Sequence, residues 1–287
     1  MANKSKILVT GASGHLGQMV LEDLKRKGVK DAIAMTRHPE KLSEFAKMGF
    51  DIRQGDFDDK ESLVAAFKGA RRMLLISTDA IGRRIEQHKN AIEVAKKMGV
   101  KHIVYTSWPN AEKSKAMVSN EHLETEKMIM ESGLSYTILR NYSYAENLIP
   151  GLESAIDTGE FIGAAGDGKV AFITKHDCAL AASSALIKES DESIVLDLSG
   201  AESFSYQEVA ELAAKIKKKP IKYVDMNLDE YEQTLARHGM SEDVAQLVRS
   251  FDESYKDGEL AEVNNNFYKL VGHKPQKLKD FLSRELR

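Results

Sequence analysis

Residues 6–28, KILVTGASGHLGQMVLEDLKRKG, decide the fold. An apolar run breaks at Gly11, Gly14 and Gly17, and the chain then turns amphipathic, with Leu16, Val20 and Leu24 four residues apart. That recurrence marks one face of a helix, so the stretch reads as a buried strand, a tight turn and a helix. Gly11 suits the turn, Gly14 a close approach of backbone to ligand, and Gly17 close packing of helix on sheet. The exposed N–H groups and dipole at such a helix start hold phosphate. The spacing G-x-x-G-x-x-G is one residue longer than the commonest dinucleotide pattern. A tight turn without a ligand would also fit, but the strand–turn–helix setting favours a dinucleotide site.

The first half of the chain repeats this grammar. A periodic segment ends at a glycine, a polar step follows, and a strand-like run begins: KGVKDAIAM at Gly28, MGFDIRQ at Gly49, KGARRMLLIS at Gly69, MGVKHIVYT at Gly99 and SGLSYTIL at Gly133. Glycine just past a helix end accepts the left-handed backbone that closes the helix. In GRRIEQHKNAIEVAKKMG, Ile85, Ile92 and Ala95 are expected to share a face. RMLLIS and HIVYT show no polar alternation, as expected of strands covered on both sides. Alternating strands and helices with short connections imply an α/β, doubly wound parallel sheet of the Rossmann type. Its six strands are predicted at 6–10, 31–36, 51–54, 71–76, 102–106 and 135–140.

The rhythm changes after Arg140. AAGDGKVAF reads as a glycine-rich loop or turn, KHDCALAASSALIKE as a helix and SIVLDLSG as one more strand. Helices are expected at 205–217, 228–238 and 241–257, with a last piece in PQKLKDFLSRELR. The predicted organisation is a dinucleotide-binding domain over 1–150, to which 170–200 contributes back, and a smaller, mainly helical substrate-side part over 151–287.

Composition narrows the function. A net charge of −3 and a pI near 6.3 give no electrostatic reason to expect nucleic acid or an anionic membrane as partner. MANKSKILV lacks the apolar core of a signal peptide, and no stretch approaches the length of a membrane span, so a cytoplasmic location is expected. The single cysteine, Cys178, excludes an internal disulfide. No His, Cys, Asp and Glu cluster has metal spacing: His176 and Asp177 stand without a helical partner of ligand type. The oligomeric state, monomer or homodimer, stays open.

The end of the second predicted strand bears on which dinucleotide is bound. An NAD site usually places Asp or Glu there for the ribose hydroxyls. Here the chain reads AMTRHPEK, with Arg37 and no acid. A guanidinium pairs with a 2′-phosphate that a carboxylate would repel, which favours NADP(H); Arg37 could otherwise be a solvated charge at a helix entry. Asp56 in GDFDD is placed either to approach the adenine amino group or to cap a helix. Ligands of such sheets lie beyond the carboxyl ends of the strands, where Ser77-Thr78, Thr106-Ser107 and Asn141-Tyr142 converge.

TGASGHLG, GDFDD, YTS, EHLETEK, LRNYSYAEN and IGAAGDGK together resemble the NmrA-like atypical short-chain dehydrogenase/reductases, and within them the bacterial NADPH:quinone oxidoreductase type 2 branch, with triphenylmethane dye reductases near. The likeness is densest over 6–180. It implies a two-part subunit that binds NADPH and passes hydride to a quinone. Carried over by position, Gly11, Ala12, Ser13, Gly14, His15, Leu16, Gly17, Arg37, Ser77, Thr78, Asp79, Asn141, Tyr142, Ser143, Tyr144, Ala145 and Glu146 would touch the cofactor. Asn147 would face the quinone.

One departure is informative. Alcohol-oxidising short-chain dehydrogenases carry Tyr-x-x-x-Lys on the helix after the fifth strand, whereas SNEHLETEKMI puts His122 and Glu126 in those places. Glutamate cannot lower a neighbour's pKa as a cation does, so that proton relay is absent. A quinone tolerates the loss, because hydride addition leaves a delocalised phenolate-type anion that needs a hydrogen-bond donor more than a strong acid. His122 is a candidate donor, or else a surface histidine paired with Glu126. Tyr142, Tyr144 and Trp108 are expected to shape an aromatic slot or to pack in the core. No metal or flavin is expected. Two other readings stay open: a redox-sensing regulator that binds NADP(H) without turnover, and a reductase of a dye, a nitro or azo compound, or a reactive carbonyl.

Overall fold

The structure, a computed structural model, describes residues 6–190 and 192–287. Residues 1–5, where MANKSKILV opens, and residue 191 lie outside the described residues. In chain order the elements are β1 Lys6–Val9, α1 His15–Arg26, β2 Ile33–Thr36, α2 Ser43–Lys47, β3 Asp51–Gln54, α3 Lys60–Phe67, β4 Ala70–Leu75, α4 Arg84–Lys97, β5 His102–Ser107, α5 Ser119–Glu131 and β6 Ser135–Asn141. There follow α6 Ile149–Thr158, β7 Glu160–Gly163, β8 Lys169–Val170, α7 Lys175–Ile187, β9 Ile194–Leu198, β10 Phe204–Ser205, α8 Tyr206–Lys217, β11 Lys222–Asp225, α9 Leu228–Arg237, α10 Glu242–Lys256, α11 Asn266–Val271 and α12 Leu278–Glu285.

Seven strands form one sheet in the order β3-β2-β1-β4-β5-β6-β9. The pairs β3–β2, β2–β1, β1–β4, β4–β5 and β5–β6 are parallel, so the order reverses between β1 and β4. This is the doubly wound arrangement expected from the sequence, and the six predicted strands lie within two residues of those observed. Gly28, Gly49, Gly69, Gly99 and Gly133 all take positive φ, between 78° and 96°, as their places past helix ends require.

The chain divides into two compact units, one of Met1–Ser107, Glu121–Arg140 and His176–Leu196, the other of Trp108–Asn120, Asn141–Lys175 and Asp197–Arg287. In the first, strand residues Leu8, Ile33, Met73, Ile103 and Ile138 pack with Leu63 and Phe67 of α3, Ala91, Ile92 and Ala95 of α4, and Ile129 of α5. Ile85 does not share that face, since it is exposed while Arg84 and His88 are buried in the inward stripe of α4. Arg72, a charge inside an apolar strand, is buried because its guanidinium donates to the carbonyls of Ala185, Leu186 and Ser190 at the end of α7. Opposite that helix, Asp23 of α1 accepts from Ser183 and pairs with Lys27.

The second unit holds α6, α8 to α12 and two short sheets, β7 with β11 in parallel and β8 with β10 antiparallel. AAGDGKVAF, read as a glycine-rich loop or turn, makes a turn closed by the Gly168 N–H on the Ala165 carbonyl and then β8, whose two residues are too few to show a period. Ala164, Tyr231, Leu235 and Ala245 form an apolar cluster. Beside it Asp252 is buried, accepting from the Ala164 N–H at 2.7 Å and the Tyr206 hydroxyl at 2.9 Å.

After Arg140 the chain enters the second unit's Asn141–Lys175, and Trp108–Asn120 also belongs to the second unit. Long-range contacts explain the latter. Trp108 stacks on Phe251 at 5.3 Å, the Asn110 amide donates to the Glu259 carbonyl, and the Met117 N–H donates to Ser250.

Candidate functional site

The turn between β1 and α1 is built for close approach. Gly11 has φ +59°, and the Gly14 N–H donates back to the Gly11 carbonyl at 3.0 Å. Gly14 caps α1 with no side chain in the way, and the first helical turn carries no acid. A Cβ at Gly17 would sit 2.4 Å from the Gly11 oxygen and 2.8 Å from the Ala12 Cα, both backbone atoms, so only glycine fits. Ala12 is buried and donates its N–H to the Met35 carbonyl, which ties the turn to β2. His15 is exposed and Leu16 half-buried at the start of the helix. The result is an open, anion-favouring helix start.

Ser13 Oγ lies 2.7 Å from Thr36 Oγ1, and that same oxygen accepts from the His38 N–H at 3.0 Å. The link fastens the turn that carries Arg37 to the glycine loop. Arg37 is exposed and makes no ion pair among the described residues. The helix-cap reading of Asp56 is corrected: Asp59 caps α3, accepting from the N–H groups of Glu61 and Ser62. The Asp56 carboxylate accepts from the Asp58 N–H instead, because three residues of turn separate it from the helix start.

Beyond β4 and β5 the polar residues divide by task. The Thr106 hydroxyl oxygen, buried, accepts from the Ser77 N–H at 2.9 Å and lies 3.3 Å from Ser77 Oγ. Thr78 Oγ1 is buried without a hydrogen-bond partner among the described residues, and Asp79 is exposed. Ser107 is buried and its hydroxyl is committed to Glu126, at 2.6 Å.

The places of the missing Tyr-x-x-x-Lys relay are both interior. Glu126, 1% exposed, receives Arg140 through Nε at 2.9 Å and Nη2 at 2.6 Å. His122 is not a surface residue and does not bond Glu126. It is buried, with Nδ1 2.8 Å from the Tyr105 hydroxyl and Nε2 facing Arg84 Nη1 at 3.5 Å. Since a guanidinium only donates, Nε2 accepts, and the ring's proton sits on Nδ1 toward Tyr105. Burial, then the charge of Arg84, holds the His122 pKa well below the usual range, so the ring is neutral. Arg84, His88 and Glu121 complete this interior. A reading that follows only apolar periodicity passes over them, and the signal that finds them is their spacing: Arg84 and His88 are four residues apart in line with Ala91 and Ala95.

In the second unit, the segment Asn141–Asn147 is braced internally. Asn141 is buried, its amide donating to the Tyr144 hydroxyl at 3.2 Å while its Oδ1 has no partner among the described residues. The Tyr142 N–H donates to the Leu198 carbonyl, and burial, aided by Asp197 and Glu262, pushes its phenol up to about 12. Ser143 bonds the Tyr255 hydroxyl, Ala145 donates to the Ile173 carbonyl, and both Glu146 carboxylate oxygens accept from the Lys175 N–H. Lys175 Nζ stands 5.6 Å over the Tyr144 ring. Ser143, Ala145 and Glu146 thus have structural partners, whereas Asn147 is exposed with no side-chain bond among the described residues. Trp108 packs in the core of its unit, its indole N–H given to Ser114.

Residues 3–282 match the NmrA-like family, and the chain belongs to it. Among its relatives is Quinone oxidoreductase 2 of Escherichia coli (strain K12), 36% identical over 278 residues that span 96% of this chain and 97% of that one. The crystal structure of the E. coli NADPH-dependent quinone oxidoreductase complexed with NADPH superposes with a TM-score of 0.95, at 35% identity, over 98% of this chain and 100% of that one. Citrobacter sp. triphenylmethane reductase complexed with NADP(H) gives 0.92 at 31% identity, over 98% and 100%. The NAD(P)H azoreductase of Xenophilus azovorans is 26% identical over 96% of both chains. No helix among the described residues is long and apolar enough to cross a membrane.

Proposed function

We propose that this chain is an NADPH-dependent reductase that passes hydride to a quinone or a quinone-like flat acceptor in the cytoplasm. The observation that carries the reading is the glycine cradle: an acid-free helix start closed to any side chain at Gly17 and tied by Ser13 and Thr36 to the turn of Arg37. Such a cradle fits a pyrophosphate on the α1 N–H groups with a 2′-phosphate on the guanidinium. Thr78 Oγ1, without a hydrogen-bond partner among the described residues, suits a hydroxyl or carboxamide of the same ligand.

When bound, NADPH supplies the hydride. The chain's residues supply placement, which is where most of the acceleration of such a transfer lies. Asn147 is the polar contact assigned to a quinone oxygen, its amide N–H donating as negative charge builds there. Among the described residues neither place of the Tyr/Lys relay is free for that part, since Glu126 is engaged by Arg140 and Ser107 while His122 donates its Nδ1–H to the Tyr105 hydroxyl. A quinone suits this deficit because its reduced anion is already delocalised.

The test is turnover. Purified protein with NADPH and a benzoquinone should oxidise NADPH at a rate proportional to protein concentration and saturable in both substrates. A rate no higher than the uncatalysed reaction would leave a binding protein without this activity. The azoreductase and the triphenylmethane reductase among the relatives favour a second acceptor class. An azo dye and a triphenylmethane dye in the same assay decide which class has the higher kcat/KM.

A further inference from the structure

The segment from Ile76 to Arg83 joins β4 to α4, and its own backbone bonds are few: Ile81 N–H to the Asp79 carbonyl and Arg83 N–H to the Ala80 carbonyl. Its shape is set by side chains from beneath. His88 Nε2 accepts from the Thr78 N–H at 3.2 Å, and the Thr78 carbonyl accepts from Arg84 Nε. Glu121 Oε1 accepts from the Gly82 N–H at 2.8 Å, where φ is +86°. All three side chains are buried.

The orientation of His88 is fixed in turn. Its Nδ1 lies 2.9 Å from Thr125 Oγ1, whose own hydrogen goes to the Glu121 carbonyl at 2.7 Å, so Nδ1 donates and Nε2 keeps its lone pair for Thr78. Burial, with the charge of Arg84, pushes the His88 pKa down to about 3 and keeps the ring neutral. Apolar residues in these inward places would be cheaper to bury than Arg, His and Glu. What the polar set does that an apolar one cannot is hold both polar atoms of the Thr78 backbone in one orientation.

We infer that Arg84, His88 and Glu121 are positioning residues that pre-set the Ser77–Gly82 backbone for the nicotinamide half of the cofactor. The inference rests on the NADPH reading above. In a sheet of this order the adenosine half lies toward β2 and β3 and the nicotinamide half toward β4 and β5. Loosening the segment should therefore cost affinity for the whole dinucleotide and spare a fragment that carries only the adenosine end.

His88→Phe keeps the ring and removes the acceptor. Its Kd for NADPH should rise about tenfold, the order expected of one buried amide left unpaired. Its Kd for adenosine 2′,5′-bisphosphate should stay within about twofold. His88→Gln, whose Oε1 reaches the place of Nε2, should recover most of the NADPH affinity. Parallel loss of both ligands, or no loss of either, would overturn the inference. A wild-type chain that binds neither ligand would instead refute the NADPH reading on which it rests. In the unaltered, ligand-free protein the Thr78 and Gly82 amide hydrogens should exchange slowly. Exchange at the rate of an open loop would overturn the inference even if the variants failed to fold.

Discussion

Arg37 stands exposed just past β2, on a turn that Thr36 fastens to Ser13 of the glycine loop. With no ion-pair partner among the described residues, its guanidinium is available to a phosphate in fork geometry. Arg37→Glu replaces attraction by repulsion at that point only. It should weaken NADPH binding by about 30-fold or more and leave NADH within about threefold, both measured by fluorescence titration. Equal losses would contradict the assignment. The glycines and Arg37 are legible in the sequence because their meaning is local: a backbone conformation, or a charge at a strand end. His88 and Arg84 are not. A helix face is normally found by its apolar residues, and here polar ones occupy inward places while Ile85 points to solvent.

At the scale of elements, α5 carries Glu126, at the place of the relay lysine, as a structural tie. Glu126 joins it to β6 through Arg140 and to β5 through Ser107. Glu126→Gln leaves Arg140 facing a neutral amide, which should lower stability by about 3–5 kcal/mol, the scale of a broken buried pair. The kcat with an electron-poor quinone, measured well below the lowered Tm, should stay within about threefold. A collapse to background would mean that Glu126 serves the chemistry. In the second unit, Asp252 of α10 clamps Ala164 past β7. Burial first, then Asp225, raises its pKa from 3.8 to about 7. A carboxyl with a raised folded pKa favours folding below its unfolded value and loses that contribution as pH rises through the folded one. Stability should therefore fall from about pH 4 to about pH 7, by up to ~1.4 kcal/mol per pH unit. Asp252→Asn keeps one acceptor for Ala164 and lets the Tyr206 hydroxyl turn to accept, so it should flatten this slope in urea melts at pH 5 and pH 8. An unchanged slope would contradict the assignment. None of this pairing was visible in the sequence, where Asp252 is one acid in an amphipathic helix, FDESYKD.

Across the whole molecule, the strand–helix rhythm made the doubly wound sheet legible, because parallel strands buried on both faces leave unmistakable apolar runs. The division into units was less so. The chain passes between them at Ser107, Asn120, Arg140, Lys175 and Leu196. No linker composition marks these points, since the crossings are made by ordinary strands and helices. Trp108–Asn120 joins its unit through partners more than a hundred residues away. The two-residue strands β8 and β10 were also beyond local pattern. What ties the scales together is one claim, that the glycine cradle and Arg37 select a phosphorylated nicotinamide dinucleotide. Calorimetric titration of the purified chain with NADPH and with NADH tests it most directly. One site per chain is expected, with NADPH bound at least tenfold more tightly; absence of heat with NADPH, or equal affinity for the two, would contradict that selection.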